Sequence, residues 1–348
     1  MSDLDCRAEL ERRAENWRIE QVTLDQRGLE ARAPDVAHDI NALCPPAVKD
    51  FPVSARAEKF GTDAAENGIA LLGDLLTASQ CDELTDYFAS RDCFNAHIHS
   101  RSDKVPRRFA DIAADSPVAT YRLADIVRAP HLLEIVNQPD LLGAAKRFLG
   151  CTPTIYSLNA WWSFPGDEDR DVGTESFHRD VDDYRFLSLF IYLTDVDGGA
   201  GPHQYMRKTH TVAGLEECLL LSMGPLDAAQ RDEIKKSKAF EAVMALLVPG
   251  ESHLPEQKIR DLLGSDIVTV EGAKGTAFLA APAGFHRGLP PADKPRLIFW
   301  ARYGMFRNFV SVADGIAPVA LEDFGRRLSD DAVSHYVNRL IVDPDRPI

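Results

Sequence analysis

The chain has 348 residues, of which 45% are hydrophobic and 27% charged, as is ordinary for a globular protein. Its net charge of −15 argues against nucleic acid as a partner, because phosphate binding needs a basic surface. The charged N-terminus is no secretion signal, no run of about 18 apolar residues occurs, and the six cysteines are irregularly spaced. We therefore expect free thiols, no membrane span and a cytoplasmic protein.

The first 67 residues predict an accessory arm. The stretch from Leu4 to Trp17 has helical periodicity and mixed charge. The remainder of the arm contains four prolines, which predict an irregular segment: Pro34, Pro45, Pro46 and Pro52.

A tighter pattern begins at Gly68. The segment 68–72 predicts a short strand, and Thr77 or Ser79 then caps a helix. A second helix is predicted from about Pro130 to 149, and Gly150 ends it.

After Gly150 the apolar period changes from about 3.6 toward 2, which indicates strands. The predicted strands are 154–164, 184–193, 267–271, 276–279 and 296–303. Short strands with Gly/Pro turns and no alternating helices favour an antiparallel barrel or jelly roll.

Two helical segments flank or interrupt these strands. Residues 214–263 predict a helical insertion, with helices over 215–221, 227–247 and 256–263. Such an insertion commonly covers the mouth of a barrel and carries substrate contacts. We therefore predict an arm over 1–67, a β-rich domain over 68–310 and a C-terminal helical extension over 311–348.

Two histidines and a carboxylate form the main candidate site. His178 and Asp180 are two residues apart, so in a strand both side chains point to the same face. His286 follows 108 residues after His178 and would come from a distant strand. Two histidines and one carboxylate are the ligands of the non-haem Fe(II) facial triad, which leaves positions for a bidentate 2-oxo acid and for dioxygen.

Arg296 is the candidate for binding the far end of such a cosubstrate. It opens an apolar strand, and its side chain is expected to point inward with Ile298 and Trp300. A buried arginine needs an anion, and its planar guanidinium suits a carboxylate. The distal carboxylate of 2-oxoglutarate would supply that anion.

Several other polar residues admit two interpretations. Arg107 and Arg108, with Arg101 and Lys104 nearby, predict either a grip on an anionic substrate or a solvated loop. Arg302, which shares the strand parity of Arg296, predicts either a substrate contact or a structural ion pair. The remaining candidates are acids that could orient His178 or lie in a solvated turn, and histidines that are ligands by type only: Asp182, Asp183, His203, His210, His97 and His99.

From Gly68 to Tyr303 the chain resembles the phytanoyl-CoA dioxygenase-like family. The matching segments are the strand and helix over 68–84, Phe177-His-Arg-Asp180, Gly201-Pro202, Thr209-His210, and His286 followed by Arg296 and Arg302-Tyr303. The resemblance implies a mainly β chain with flanking helices around a double-stranded β-helix (jelly-roll, cupin-like) core. It also implies that Asn159 and Trp161 help to hold the cosubstrate, although Trp161 could equally fill the core.

The activity that the resemblance implies is a dioxygenase reaction. Fe(II) would be bound by His178, Asp180 and His286, 2-oxoglutarate and dioxygen would be cosubstrates, and ascorbate would serve as a reductant. An unactivated C–H bond of a small, anionic molecule would be hydroxylated or otherwise oxidised, with release of succinate and carbon dioxide.

The chain departs from the family pattern at two places. Arg207-Lys208 stands where Pro-Gly is usual, and Gly288 stands where Ser or Thr is usual. Asp180 is intact, whereas halogenating relatives have Gly or Ala there, so hydroxylation is favoured. Two alternatives remain open: a cupin-like metalloenzyme that does not use 2-oxoglutarate, and a non-catalytic metal- or ligand-binding module.

Overall fold

The computed structural model describes residues 3–95, 105–112, 116–166, 175–248, 255–264, 266–308 and 317–343. The candidates His97, His99, Arg101 and Lys104 lie outside these ranges. Within them, no helix combines the length and apolar character needed to cross a membrane. Helices account for 46% and strands for 21%, so the prediction of a mainly β chain is not confirmed.

The helices and strands have the following bounds. The helices are α1 (Asp3–Gln21), α2 (Gln26–Leu43), α3 (Pro46–Lys49), α4 (Ala55–Asn67), α5 (Ala78–Ala89), α6 (Phe109–Ile112), α7 (Leu123–Arg128), α8 (Leu132–Val136), α9 (Pro139–Leu149), α10 (Val212–Ser222), α11 (Ala228–Lys235), α12 (Lys238–Leu247), α13 (Glu256–Leu263), α14 (Phe324–Arg327) and α15 (Ala332–Asn338). The strands are β1 (Ile69–Asp74), β2 (Asp92–Cys93), β3 (Arg107–Arg108), β4 (Val118–Thr120), β5 (Thr154–Ser163), β6 (Phe186–Tyr192), β7 (His203–Met206), β8 (Ile267–Val270), β9 (Thr276–Ala280), β10 (His286–Gly288), β11 (Arg296–Gly304), β12 (Val319–Ala320) and β13 (Val342–Asp343).

Two antiparallel sheets form the core of the fold. The larger sheet has the strand order β1-β9-β6-β11-β5-β4, and the smaller has the order β10-β7-β8. An antiparallel bridge between His178 and His286 adds the segment around His178 to the edge of the smaller sheet. From β5 to β11 the chain passes back and forth between the two sheets, which is the topology of a jelly roll. The predicted jelly-roll core is therefore confirmed.

The larger sheet is covered on both faces, which explains its unbroken apolar strands. All seven residues of β6 are buried. Leu187, Leu189 and Ile191 belong to the main core between this sheet and the helices, whereas Phe190 and Tyr192 belong to a separate cluster between the two sheets. Alternate residues of one strand thus face different cores, as the period of two requires.

The N-terminal arm is largely helical and packed, so the prediction of an irregular segment is wrong at Pro34 and Pro46, whereas Pro45 and Pro52 lie between helices. Pro34 lies inside α2, and Pro46 begins α3, where a proline costs no hydrogen bond. An interior proline costs a helix about 3 kcal/mol. Burial of Leu29, Val36 and Ile40 in the main core offsets that cost.

The other predicted helices are confirmed with changed boundaries. Thr77 caps α5 through a capping box, and Gly150 ends α9 in a left-handed conformation. The helix predicted over 130–149 is divided into α8 and α9 because Pro139 starts a new helix. The insertion folds as α10 to α13, and the C-terminal extension contains α14 and α15 together with the parallel pair β12–β13.

Trp17 packs α1 against the core. Its ring lies 5.3 Å from that of Phe306, and its carbonyl accepts a hydrogen bond from the Tyr184 hydroxyl at 3.1 Å. Trp17→Ala is expected to lower the free energy of unfolding by about 3–5 kcal/mol, because a large buried side chain is lost. Urea unfolding measures this, with Ile19→Ala, 53% exposed on the same helix, as the control. Equal midpoints for the two variants would contradict the packing role.

Candidate metal centre

The two histidines of the candidate site are brought together by backbone pairing. His178 and His286 exchange backbone N–H···O=C hydrogen bonds of 3.0 Å in both directions, and their ring centroids lie 4.3 Å apart. The backbone N–H of Asp180 donates to the carbonyl of Pro282 at 2.9 Å. The His178–Asp180 segment is thus held against the loop that leads into β10, with both ligand side chains on one face as predicted.

The three side chains form a group that could hold a metal ion. Nε2 of His178 lies 3.7 Å from Oδ1 of Asp180, and Nε2 of His286 lies 3.9 Å from Oδ2 of Asp180. One ligand atom from each residue lies within 4.8 Å of the other two. The residues that the sequence separates by 108 positions therefore meet at one point.

Hydrogen bonds fix both imidazole rings in the orientation that a metal ligand needs. Nδ1 of His178 donates to the carbonyl of Ser176, and Nδ1 of His286 donates to the carbonyl of Gly284, each at 2.9 Å. In both cases the acceptor lies two residues earlier in the chain. In a neutral ring with its proton on Nδ1, the lone pair of Nε2 is available to a metal.

The electrostatics of the group also suit a metal. Burial, together with His178, lowers the pKa of His286 to about 4, so that imidazole is neutral at pH 7. Burial raises the pKa of Asp180, but Arg302 together with His286 and His178 outweighs that effect and keeps the pKa below its ordinary value. A neutral imidazole and an ionised carboxylate are thus available without loss of a proton on metal binding.

Arg302 anchors the ligand carboxylate. Its Nη2 donates to Oδ2 of Asp180 at 2.7 Å, and its Nη1 donates to Asp182. Asp182 in turn accepts a hydrogen bond from the Tyr156 hydroxyl at 2.8 Å. Of the two interpretations of Arg302, the geometry favours the structural ion pair.

Asp182 and Asp183 are buried, so the interpretation of these residues as a solvated turn is wrong. Asp182 bonds to Arg302, whereas Asp183 accepts backbone hydrogen bonds from Tyr184 and Met305, each at 2.7 Å. The two side chains thus accept hydrogen bonds from buried donors. These contacts lie at the end of β11, beside the segment that follows Asp180.

A cavity of about 150 Å³ opens between the sheets beside the metal group. Its lining residues are Trp161, His178, Asp180, Phe190, His203, His286, Gly288, Arg296, Ile298, Trp300 and Arg302. The predicted inward direction of Arg296, Ile298 and Trp300 is therefore confirmed. All the lining residues come from the jelly roll, and none comes from the described part of the α10–α13 insertion.

Arg296 lies in a tight, polar corner of this cavity. It is 5% exposed, Nη2 donates to the Ser163 hydroxyl at 3.2 Å, and Nη1 donates to the Leu289 carbonyl at 3.3 Å. A Cβ at Gly288 would lie 2.7 Å from Nη2 of Arg296. The glycine that departs from the family pattern therefore makes room for the guanidinium.

The remaining predicted residues do not share one location. Trp161 lines the cavity, but Asn159 does not, and its amide oxygen accepts a hydrogen bond from Thr120. Arg107 and Arg108 are exposed on β3, and Nε of Arg108 lies 3.8 Å from Asp92. Neither arginine is among the lining residues.

The insertion contacts the metal group through the residue between its ligands. The Arg179 side chain points away from the cavity and donates to the carbonyls of Ala283, Leu247 and Val248. The last two carbonyls belong to the C-terminal end of α12, where a cation is favoured. The insertion is therefore fixed to the ligand segment from outside the cavity.

His203, a candidate ligand by residue type only, lines the cavity. It lies on β7 directly opposite Gly288 of β10. The sequence feature that indicates its position is the two-residue spacing from Tyr205, because residues two apart in a strand share a face. Tyr205 pairs with the metal-group residue His286. His210, the other histidine considered by type, instead bonds through Nε2 to the carbonyl of Ala65 at 3.0 Å.

No family model matches the chain, and no curated protein does, so the resemblance to the phytanoyl-CoA dioxygenase-like family is not confirmed. Solved structures similar to it include SnoN, described as a non-heme alpha-ketoglutarate-dependent epimerase from nogalamycin biosynthesis, at 15% identity, TM-score 0.42 and coverage of 72% of this chain and 83% of that chain. EvdO2 from Micromonospora carbonacea var. aurantiaca, complexed with 2-oxoglutarate, has 14% identity, TM-score 0.42 and coverage of 73% and 91%. EctD from S. alaskensis, with 2-oxoglutarate and 5-hydroxyectoine, has 16% identity, TM-score 0.42 and coverage of 73% and 77%. Similarities at this level carry no argument about activity.

Proposed function

We propose that this protein is an Fe(II)- and 2-oxoglutarate-dependent dioxygenase that oxidises an unactivated C–H bond of a small molecule. One observation carries the proposal: the His178, Asp180 and His286 group and the buried Arg296 open onto the same cavity. A metal site and a buried cation on one small cavity suit a chelating dicarboxylate, whose two ends need these two partners.

The donor set fits Fe(II). Two imidazoles and one carboxylate are the ligands of the non-haem Fe(II) facial triad and also of some catalytic zinc sites. The buried Arg296 on the same cavity favours Fe(II) with a 2-oxo dicarboxylate. The Nδ1 hydrogen bonds of both histidines fix the rings as such a ligand set requires. When bound, Fe(II) with 2-oxoglutarate and dioxygen would supply the oxidising power, with succinate and carbon dioxide as products.

The protein's own residues would bind the metal and 2-oxoglutarate, orient them and exclude water. His178, Asp180 and His286 would hold the metal, and Arg302 would hold the Asp180 carboxylate in place. Arg296 would bind the distal carboxylate of 2-oxoglutarate from its position beside Ser163. The apolar walls of the cavity would keep water from the reacting centre: Trp161, Phe190, Ile298 and Trp300.

Hydroxylation is the outcome that an intact Asp180 favours, because the carboxylate occupies the position that a halide would need.

The six cysteines are free thiols, which fits a reducing compartment such as the cytoplasm.

Succinate formation tests this function. Purified protein is incubated with Fe(II), 2-oxoglutarate, ascorbate and oxygen, and each component is omitted in turn. We expect slow succinate release even without the true substrate, and none when Fe(II) or 2-oxoglutarate is left out. If succinate does not form and calorimetry detects no 2-oxoglutarate binding to the metal-loaded protein, the proposal fails. Conversion of a small-molecule substrate by the zinc- or manganese-loaded protein without 2-oxoglutarate would then indicate another cupin-like metalloenzyme.

A further inference from the structure

His203 is a buried side chain that lines the candidate cavity and carries a polar atom without a hydrogen-bond partner in the part of the chain that the structure describes. The residue is 5% exposed, and its Nε2 has no hydrogen-bond partner among the described residues. Leaving a buried polar group unpaired costs about 1–3 kcal/mol. Such an atom at the wall of a binding cavity indicates that a ligand completes its hydrogen bonding.

The His203 ring is held firmly in place. Its centroid lies 5.0 Å from the rings of both Phe190 and Phe278 and 5.7 Å from that of His286. The backbone is fixed as well, because the N–H of His203 donates to the Tyr192 hydroxyl at 2.9 Å. The imidazole is therefore preorganised, and a ligand would not have to order it.

The position of His203 is intermediate between the two proposed binding groups. Its ring packs on the metal-group residue His286, and its partner across the strand pair is Gly288, beside the guanidinium of Arg296. A dicarboxylate that extends from the metal group to Arg296 would pass His203. A neutral imidazole at this position can donate one N–H.

We propose that His203 is a binding residue for 2-oxoglutarate, and that its Nε2–H donates a hydrogen bond to the distal carboxylate beside Arg296. This inference rests on the proposed function, since it names a further contact to the same cosubstrate. A carboxylate held by a charged and a neutral donor would be fixed in orientation as well as position. His203 would thus set the cavity's preference for a 2-oxo acid with a second carboxylate.

Calorimetric binding to the Mn(II)-loaded protein tests the inference without turnover. His203→Phe keeps an aromatic ring among its aromatic neighbours but removes the donor, whereas His203→Gln keeps an amide donor near the position of Nε2. We expect His203→Phe to bind 2-oxoglutarate about 10- to 100-fold more weakly, and His203→Gln to recover most of that loss. Pyruvate, which lacks the distal carboxylate, should bind equally to all three proteins.

The outcomes separate this inference from the proposed function. If wild-type protein binds Mn(II) but no 2-oxoglutarate, the proposed function fails, and with it this inference. If wild-type protein binds 2-oxoglutarate and His203→Phe binds it equally well, only the role of His203 is overturned. Weaker Mn(II) binding by His203→Phe would also overturn it, because His203 would then serve the metal. If His203→Phe does not fold, as judged by thermal unfolding, His203→Leu against His203→Gln makes the same comparison.

Discussion

Replacement of Asp180 by alanine is expected to abolish succinate formation. Asp180 is the single carboxylate of the metal group, and its removal leaves two imidazoles, which bind a divalent ion much more weakly. Loss of an outer contact to a ligand already costs about 10- to 100-fold. We therefore expect a loss of more than about 100-fold, measured as succinate released at saturating Fe(II) and 2-oxoglutarate.

The matched control for this variant is Asp232→Ala, an exposed aspartate on α11 that is not among the cavity residues. It should leave succinate release unchanged. Asp180→Ala also leaves Arg302 with Asp182 as its remaining acid partner, so thermal unfolding of the metal-free protein must show that the variant is folded. Full activity in folded Asp180→Ala would rule out the assigned metal ligands.

The grouping of His178 with Asp180 and the inward direction of Arg296 could be predicted because a strand imposes a simple rule on its side chains. Residues two apart share a face, so the spacing of His178 and Asp180 and the parity of Arg296, Ile298 and Trp300 determine what points inward. The structure brings these residues to one cavity, as that rule predicts. The rule needs no knowledge of which strands are neighbours.

The ion pair of Arg302 with Asp180 could not be predicted in this way. It joins residues 122 positions apart, and it depends on where β11 ends relative to the segment that carries the metal ligands. The position of β11 relative to this segment also determines that Asp182 and Asp183 are buried. The sequence around these acids is polar and suggests a turn. The side chains that donate hydrogen bonds to buried Asp182 come from β11 and β5.

Local propensity does not decide the structure of the N-terminal arm. Prolines at 34 and 46 indicate breaks, but helix stability in proteins comes mainly from the packing of an apolar face. Leu29, Val36 and Ile40 form such a face on α2, and tertiary burial overrides the cost of Pro34. His203 was underestimated for a related reason, since its importance lies in its neighbours and not in a motif.

Arg296→Ala is expected to weaken 2-oxoglutarate binding far more than metal binding. Truncation of one partner in a buried, hydrogen-bonded charge pair costs about 2–5 kcal/mol, which corresponds to a loss of about 30-fold or more. Calorimetry with Mn(II)-loaded protein measures the dissociation constant, and the 2-oxoglutarate dependence of succinate release should change in parallel. Affinity for Mn(II) should remain that of the wild type, because Arg296 is not one of the metal-group residues.

Arg327→Ala is the control for loss of a partly buried arginine, because Arg327 pairs with Glu134 at 2.6 Å and is not among the cavity residues. Arg296→Lys is a sharper comparison. A lysine keeps the charge but cannot match the planar contacts to Ser163 and Leu289, so it should recover only part of the affinity. If Arg296→Ala binds 2-oxoglutarate as tightly as Arg327→Ala does, Arg296 does not bind the distal carboxylate, and that assignment is wrong.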